Sequence, residues 1–465
     1  MRRIFSTLAP RRGERVPQAG EGSPSSGAAR HFPPRAAGAK AIVALALCLT
    51  AAAATAQTHL TFREALERAM RVNNTVERAR AEVGAQEANR RFMFSQVLPR
   101  VSATGSAIRN SEEVSFGSGS DARVILPGND WNYRVVLSQP VYAGRREARA
   151  YEQAKIGVFN AQESAFGTED AVMLRVASNF LAVVNADDRI GVEKQNIAVA
   201  EKRRTQANAF YEAGEATKVD ILRADTAIKA AQRQLAAATQ AREDAVSRLR
   251  ADLDLNGEIA ADHPAQPPLP PMPNETELEN RAADARPDVV VAKNNLRAAE
   301  LEVLKQRGFW LPIVTFDAGW INQKSAFPAS RYGYGAFRFT VPIFQSGEVE
   351  ARVAGAKSRE IQSKLSLEDA QIAAREDVRT AMTQLETANT SLQLAKEQLA
   401  AAEAEYSQVF ELYRAQEATA LDVATSEATL ADARRAVNEE SLNHDLAQLR
   451  VWYAAGALKE AVGVK

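Results

Sequence analysis

The sequence predicts a mainly α protein with a small β part, in which duplicated long helical hairpins form an α-barrel and four strands per chain contribute to a shared transmembrane β-barrel. Three observations predict it. A heptad seam runs without interruption, a helix-turn string recurs 202 positions apart, and four short stretches switch their apolar period from helical to two.

The seam comprises Leu385, Ala388, Leu392, Ala395, Leu399, Ala402, Tyr406, Val409 and Tyr413, at alternating steps of three and four. Apolar residues so spaced form one stripe of a helix packed against other helices in coiled-coil fashion. No Pro or Gly occurs between Ala356 and Tyr413, so the spacing predicts a helix of at least 58 residues, about 87 Å at ~1.5 Å per residue. A globular domain of ordinary size has no room for it.

The seam ends in Tyr413-Arg-Ala-Gln-Glu-Ala-Thr-Ala-Leu-Asp422, and Tyr211-Glu-Ala-Gly-Glu-Ala-Thr-Lys-Val-Asp220 stands 202 positions before it. The chain is therefore an internal duplication, and the repeat is the unit of organisation. The domains expected are a leader and signal peptide at 1–56, a first repeat at 57–263, a Pro-rich linker at 264–274, a second repeat at 275–458 and a tail at 459–465.

In the leader, Arg35 and Lys40 precede an apolar run from Ala41 to Ala54, and Ala54-Thr55-Ala56 supplies small residues for cleavage before Gln57. That is the pattern of a secretory signal, and its apolar run is too short to span a bilayer as a helix. The only cysteine, Cys48, lies within it, so cleavage would leave a chain without thiol chemistry. Eight of the 58 basic and two of the 58 acidic residues lie in residues 1–56, which leaves 50 against 56 and a net charge of about −6. Nucleic-acid binding finds no support in that balance.

Leu60-Thr-Phe-Arg-Glu-Ala-Leu66 opens the mature chain, with Thr61 and Glu64 at capping-box spacing. A helical segment is expected to about Val97, with a break near Asn73-Asn74. Two strands follow, Val101 to Ile108 and Trp131 to Val141, joined by a Gly/Ser/Asp-rich loop from Asn110 to Asp130. After Pro140 and Gly144 a long helix runs to Ala213, turns at Gly214 and Thr217, and returns to about Leu253 with Ala224, Ile228, Ala231, Leu235, Ala238, Ala245 and Leu249 on one face.

Six prolines between Pro264 and Pro273 rule out helix or inner strand there. The second repeat replays the order: helix from about Thr276 to Trp310 with Pro287 near a helix start, strands Ile313 to Ile321 and Tyr332 to Ile343, an exit through Pro342 and Gly347, and a long hairpin to about Ala455.

Lengths tie the pieces together. Each unbroken helix, of 70 and 69 residues, matches the summed length of the two shorter helices flanking it, 73 and 72 residues. Short helices stacked end to end beside a helix of about 105 Å would make a cylinder wall of constant height. Four strands are too few to close a barrel, and an open edge in lipid leaves backbone groups unpaired, so the strands belong to a barrel shared among two, three or four copies.

Together, the Leu60 to Leu66 segment with Asn73-Asn74, the Pro140 and Pro342 strand exits, the Tyr211 to Asp220 and Tyr413 to Asp422 tips and the duplication resemble the TolC family of bacterial outer-membrane factors, over residues 58 to 458. The resemblance implies a homotrimer with a 12-stranded outer-membrane barrel continuous with a periplasmic helical tunnel, serving as exit duct of a tripartite efflux pump or type I secretion system. It also implies a periplasmic adaptor, an inner-membrane transporter (proton-driven or ABC) and outer-membrane lipid as partners. In the family a Tyr and an Asp of the second hairpin constrict the pore, and Tyr413 and Asp422 match them. Thr425 stands where some members carry a second aspartate. Gly214 fits the family's turn glycine whereas Gln416 departs from it, which leaves room for a second turn of different shape.

Asp220 and Asp422 have two readings, pore-lining acids favouring cations in a narrow mouth and caps of the returning helices; both can hold together. Tyr211 and Tyr413 either end their seams as packing residues or, for Tyr413, donate a gate hydrogen bond. Gly214, Glu215, Thr217, Glu417 and Thr419 form either an adaptor-contact tip or a plain solvated turn. Trp131, Tyr133, Trp320, Tyr332 and Tyr334 are either interfacial girdle aromatics or ordinary strand residues.

No enzyme is expected. His31, His59, His263 and His444 stand apart with no metal-ligand spacing, no Ser/His/Asp set and no phosphate loop, and no cofactor is implied. The competing class is a periplasmic coiled-coil adaptor or scaffold without a membrane barrel, which would keep its β segments in compact domains without aromatic strand ends.

Overall fold

The computed structural model describes residues 58–117, 119, 123–262, 269–324 and 329–464. The leader with Cys48 and the centre of the Pro-rich linker lie outside the described residues. The first half runs β1 (Thr58–Leu60), α1 (Phe62–Val72), α2 (Asn74–Ser95), β2 (Arg100–Arg109), β3 (Val114–Phe116), β4 (Arg123–Leu126), β5 (Asn129–Ala143), α3 (Arg146–Glu212), α4 (Lys218–Leu253) and β6 (Ile259–Ala261). The second runs α5 (Glu275–Ala285), α6 (Pro287–Arg307), a 3-10 turn (Gly308–Trp310), β7 (Ile313–Gln323), β8 (Arg331–Thr340), α7 (Glu348–Arg414), α8 (Ala420–Ala454) and α9 (Leu458–Val462).

Local chemistry sets these boundaries. The Thr61 hydroxyl accepts the Glu64 N–H at 3.3 Å while the Thr61 N–H donates to the Glu64 carboxylate at 3.0 Å, the expected capping box. Asn73 both ends α1 and caps α2: its Oδ1 accepts the Thr75 N–H at 3.0 Å, and its Nδ2 donates to the Asp252 carbonyl at 3.2 Å. Pro287 occupies the first turn of α6, where its missing N–H removes a donor with no partner. β8 stops at Thr340 rather than continuing to Ile343, because its partner β7 begins at Ile313, opposite Thr340, and leaves the residues before Pro342 nothing to pair with.

α3 and α7 are each 67 residues long, about 100 Å. α2 and α4 pack along α3, one on each half, and meet at Asp252. There the Asp252 carboxylate receives Arg175 at 3.0 Å and Asn179 at 2.7 Å, both from α3. Arg286, at the break between α5 and α6, plays the matching part in the second repeat and donates to Asp377 of α7 at 2.7 Å. The end-to-end stacking inferred from length is thus held by a buried or half-buried polar joint in each repeat.

The main core lies at this mid-height level, where Leu66, Phe180, Met173, Leu249, Leu278, Leu449 and Leu458 are almost fully buried. Phe62 meets Phe180 edge to face at 5.6 Å. Below it the hairpins hold together on the predicted thin seam, in which Leu385, Ala388, Ala395, Ala402 and Tyr413 are buried.

Two features escaped the sequence reading. β1 pairs in parallel with β6, tying the start of the body to the end of the first repeat, and the loop after β2 carries a small β3–β4 hairpin. The main sheet is an antiparallel four-strand meander in the order β2-β5-β7-β8. Both outer strands are unpaired along one edge among the described residues. No described helix is long and apolar enough to cross a membrane.

Candidate functional site: the sheet and the hairpin tips

Directly opposed residues of an antiparallel pair point to the same face, so the register sorts every strand residue. One face carries Val101 and Ala103 of β2, Trp131, Tyr133, Val135 and Leu137 of β5, Phe316, Ala318 and Trp320 of β7, and Phe337 and Phe339 of β8. The other carries Arg100, Ser102, Thr104, Arg134, Ser138, Thr315, Asp317 and Arg338. A register shift at Val141, between the Pro140–Thr315 and Tyr142–Val314 pairs, ends the regular alternation near the helices.

The apolar face is open along its length: Val101 is 68% exposed, Phe339 68%, Phe337 62% and Tyr133 57%. It is bounded by two aromatic groups. Trp131 and Tyr133, with ring centroids 5.4 Å apart, and Trp320 stand toward the hairpin ends; Phe316 and Phe337, 5.0 Å apart, with Phe339, stand toward the helices. Along the strands Trp320 stands about 13 Å, and Trp131 about 27 Å, from the level of Phe316.

The five aromatics read either as a girdle or as ordinary strand residues do not share a face. Tyr332 opposes Ile321 and Tyr334 opposes Gly319, both on the polar side. A Cβ at Gly319 would meet the Tyr334 ring at 2.5 Å, whereas a Cβ at Gly105 would meet Tyr133 at 3.1 Å on the apolar side. Each tyrosine thus covers a strand glycine, on opposite faces. The Phe316, Phe337 and Phe339 group was missed; its signal was the alternation of Phe337 and Phe339 in β8.

At the far end of the helices the two tips are built alike. The Gly214 N–H donates to the Tyr211 carbonyl at 3.0 Å and the Glu215 N–H to Phe210 at 2.8 Å; Gln416 and Glu417 repeat the pair on Tyr413 and Leu412 at 3.0 and 2.8 Å. Gly214 has φ +79° and Gln416 φ +64°. The second turn is therefore the same helix-ending Schellman motif as the first, although glutamine replaces the glycine that this left-handed position favours. The Gln416 amide donates to the Glu215 carboxylate and links the turns.

Both tip aspartates cap. Asp220 accepts the Thr217 hydroxyl at 2.9 Å and N–H at 3.2 Å. Asp422 accepts the Thr419 hydroxyl at 2.7 Å and N–H at 2.8 Å. These bonds, the hydroxyl's first, hold Asp422 below the usual carboxylate range, so it is anionic at neutral pH while fully exposed. The Thr425 hydroxyl donates to the Leu421 carbonyl at 3.0 Å, the local satisfaction usual for a helical threonine.

Tyr413 is buried, packed edge to face on Phe210 of the first hairpin at 5.2 Å, while Tyr211 is 47% exposed. Burial pushes the Tyr413 hydroxyl up, and the nearby Asp220 charge adds to that. An open groove of about 560 Å³ between the tips is lined by Phe210, Glu215, Asp220, Tyr413, Gln416 and Leu421 among others. Thr419 also lines it, and Glu417 is exposed beside it.

Above the tips, polar bonds cross between the hairpins. Arg203 of α3 meets Glu427 of α8 at 2.8 Å, and Arg435 of α8 meets the fully buried Glu193 of α3 at 2.8 Å. Asn185 donates to the Asn438 carbonyl near them. Sequence reasoning missed this set; its faint signal was charge at positions whose helical phase faces the other hairpin.

Comparison with known proteins agrees with this geometry. The family model described as outer membrane efflux protein matches residues 49–253 and 278–457. The chain is 23% identical over 403 residues to the outer membrane efflux protein BepC of Brucella suis biovar 1 (strain 1330), covering 83% of each chain. Its fold is similar to the outer membrane protein VceC of Vibrio cholerae, with TM-score 0.72, 14% identity and coverage of 85% of this chain and 96% of that one. It is also similar to the open state of the Neisseria gonorrhoeae MtrE outer membrane channel, with TM-score 0.70, 19% identity and coverage of 85% and 89%. With its duplicated hairpins, its four-strand meander and a match along most of its length, the chain belongs to the outer membrane efflux protein family.

Proposed function

We propose that three copies of this chain join edge to edge into one tube, a 12-stranded barrel in the outer membrane above a periplasmic helical tunnel, which serves as the passive exit duct of a tripartite pump. The sheet carries the reading. β2 and β8, its two free edges, run antiparallel to each other, so β8 of one copy can pair with β2 of the next and the ring closes with every ladder antiparallel. The apolar face then meets lipid, and Trp131, Tyr133 and Trp320 form the outer aromatic belt. Tyr332 and Tyr334 line the water-filled side.

At the periplasmic mouth, Asp422 and Asp220 ring the axis while capping their helices, with Tyr413 and Thr425 beside them. Gly214, Glu215, Thr217, Glu417 and Thr419 make the surface on which a periplasmic adaptor seats, and an inner-membrane transporter, proton-driven or ABC, supplies the energy. The same duct would serve type I secretion. The competing scaffold reading has no use for a sheet whose apolar face is open along its whole length.

The test is conductance of the purified protein in planar bilayers. Asp422→Ala should raise single-channel conductance at neutral pH; an oligomer that conducts in neither form overturns the duct.

A further inference from the structure

The polar face of the sheet is unevenly charged. Between its ends it presents Arg100, Arg134 and Arg338 but a single carboxylate, Asp317; Asp130 stands at the outer end. Asp317 is engaged: it accepts the Ser138 hydroxyl at 2.7 Å and lies 3.6 Å from the Arg338 guanidinium. Arg134 is exposed, stands in the row of Thr104 and Ile321, and has no carboxylate partner among the described residues. Arginine at mid-strand on a lipid-facing side would cost about 2–4 kcal/mol, so Arg134 belongs to the water-filled side.

Resting on the trimeric duct above, we propose that Arg134, with Arg100 below it, makes the membrane section of the channel favour anions, opposite in sign to the aspartates of the mouth. Three copies place three unpaired guanidiniums at one level of the lumen, the arrangement by which rings of basic side chains select anionic solutes. Transported compounds bearing carboxylate, sulfonate or phosphate groups are drawn through this section, and small cations are held back. The field reaches about 10 Å at 0.1 M salt and about 30 Å at 0.01 M, so the preference strengthens as salt falls.

The experiment measures reversal potentials for KCl across a bilayer containing the full-length trimer, between about 10 and 100 mM. Arg134→Glu should raise the potassium-to-chloride permeability ratio by about threefold, and Arg134→Lys should leave it unchanged. To keep one folded protein throughout, Arg134→Cys in a Cys48→Ser background is labelled in place with an anionic or a cationic thiol reagent. The anionic label should raise the ratio and the cationic label restore it. A conducting channel whose ratio is indifferent to the charge at position 134 overturns the inference and leaves the duct standing. Absence of conductance in the unsubstituted protein overturns the duct and the inference with it.

Discussion

Arg203 and Glu427 lie on different hairpins, and their side chains meet at 2.8 Å while only 7% and 12% exposed. Removing one partner strands the other charge in a low-dielectric seam, which costs about 3–5 kcal/mol. Glu427→Ala should therefore lower the melting temperature of the purified protein markedly and speed hydrogen exchange in the tip half of α8. Replacing both, Arg203→Met with Glu427→Leu, should recover most of the loss, because well-packed apolar residues commonly substitute for a buried pair. If the double variant melts as low as the single one, packing rather than charge holds the hairpins.

Asp170 of α3 gives the stability a pH dependence. Burial, reinforced by Glu169 and Glu460 and opposed by Lys459, pushes its carboxyl up to about 6 from an ordinary 3.8. The folded state therefore keeps this proton after the unfolded chain has released it, and stability falls as pH rises from about 4 to about 6. Asp170→Asn should stabilise the protein by about 2 kcal/mol at pH 7.5, after allowance for solvent screening, and leave it nearly unchanged at pH 4. Thermal melts at the two pH values check it; an equal shift at both would show a pH-independent cause.

Gly144 and Gly308 fix the joint between sheet and helices. A Cβ at Gly144 would stand 2.2 Å from the Gly308 carbonyl oxygen, and Gly144 has φ +65°. Gly144→Ala combines left-handed strain with a backbone clash, about 3 kcal/mol or more together. The variant should lose assembled oligomer in the outer-membrane fraction, measured on a native gel. Gly84→Ala, where an added Cβ meets nothing within 4 Å, should assemble normally.

Ala103 and Ser102 are neighbours in β2 on opposite faces of the sheet, Ala103 opposed to Val135 and Ser102 to Val136. Lysine on the lipid side near mid-strand costs about 2–4 kcal/mol and on the lumen side far less. Ala103→Lys should thus cut the yield of membrane-inserted protein while Ser102→Lys does not. Equal yields would mean that the apolar face does not meet lipid.

Much of this architecture could be read from residues alone because its signals are local and periodic. The Leu385 to Tyr413 seam repeats at coiled-coil spacing, the Thr61–Glu64 and Thr217–Asp220 pairs sit at capping distance, and Trp131 to Leu137 alternates. What stayed hidden depends on partners far along the chain. β1 and β6 have three residues each, too few to show a period, and their pairing spans 201 positions. Tyr332 and Tyr334 look like belt residues until cross-strand register assigns them to the polar face. Glu193 and Arg203 resemble ordinary solvated charges on a long helix until the second hairpin is laid against them. The caps at Asp220 and Asp422 were foreseen as one of two readings, and the geometry of the capping bonds is plain; a pore role rests on neighbouring copies.

The free ladder groups of β2 and β8 also bear on how this protein is made. A newly exported chain carries two adhesive borders and an uncovered greasy panel, the combination that drives misassembly in water. In the trimeric duct proposed above, joining of copies and membrane entry are therefore expected to occur together or in quick succession.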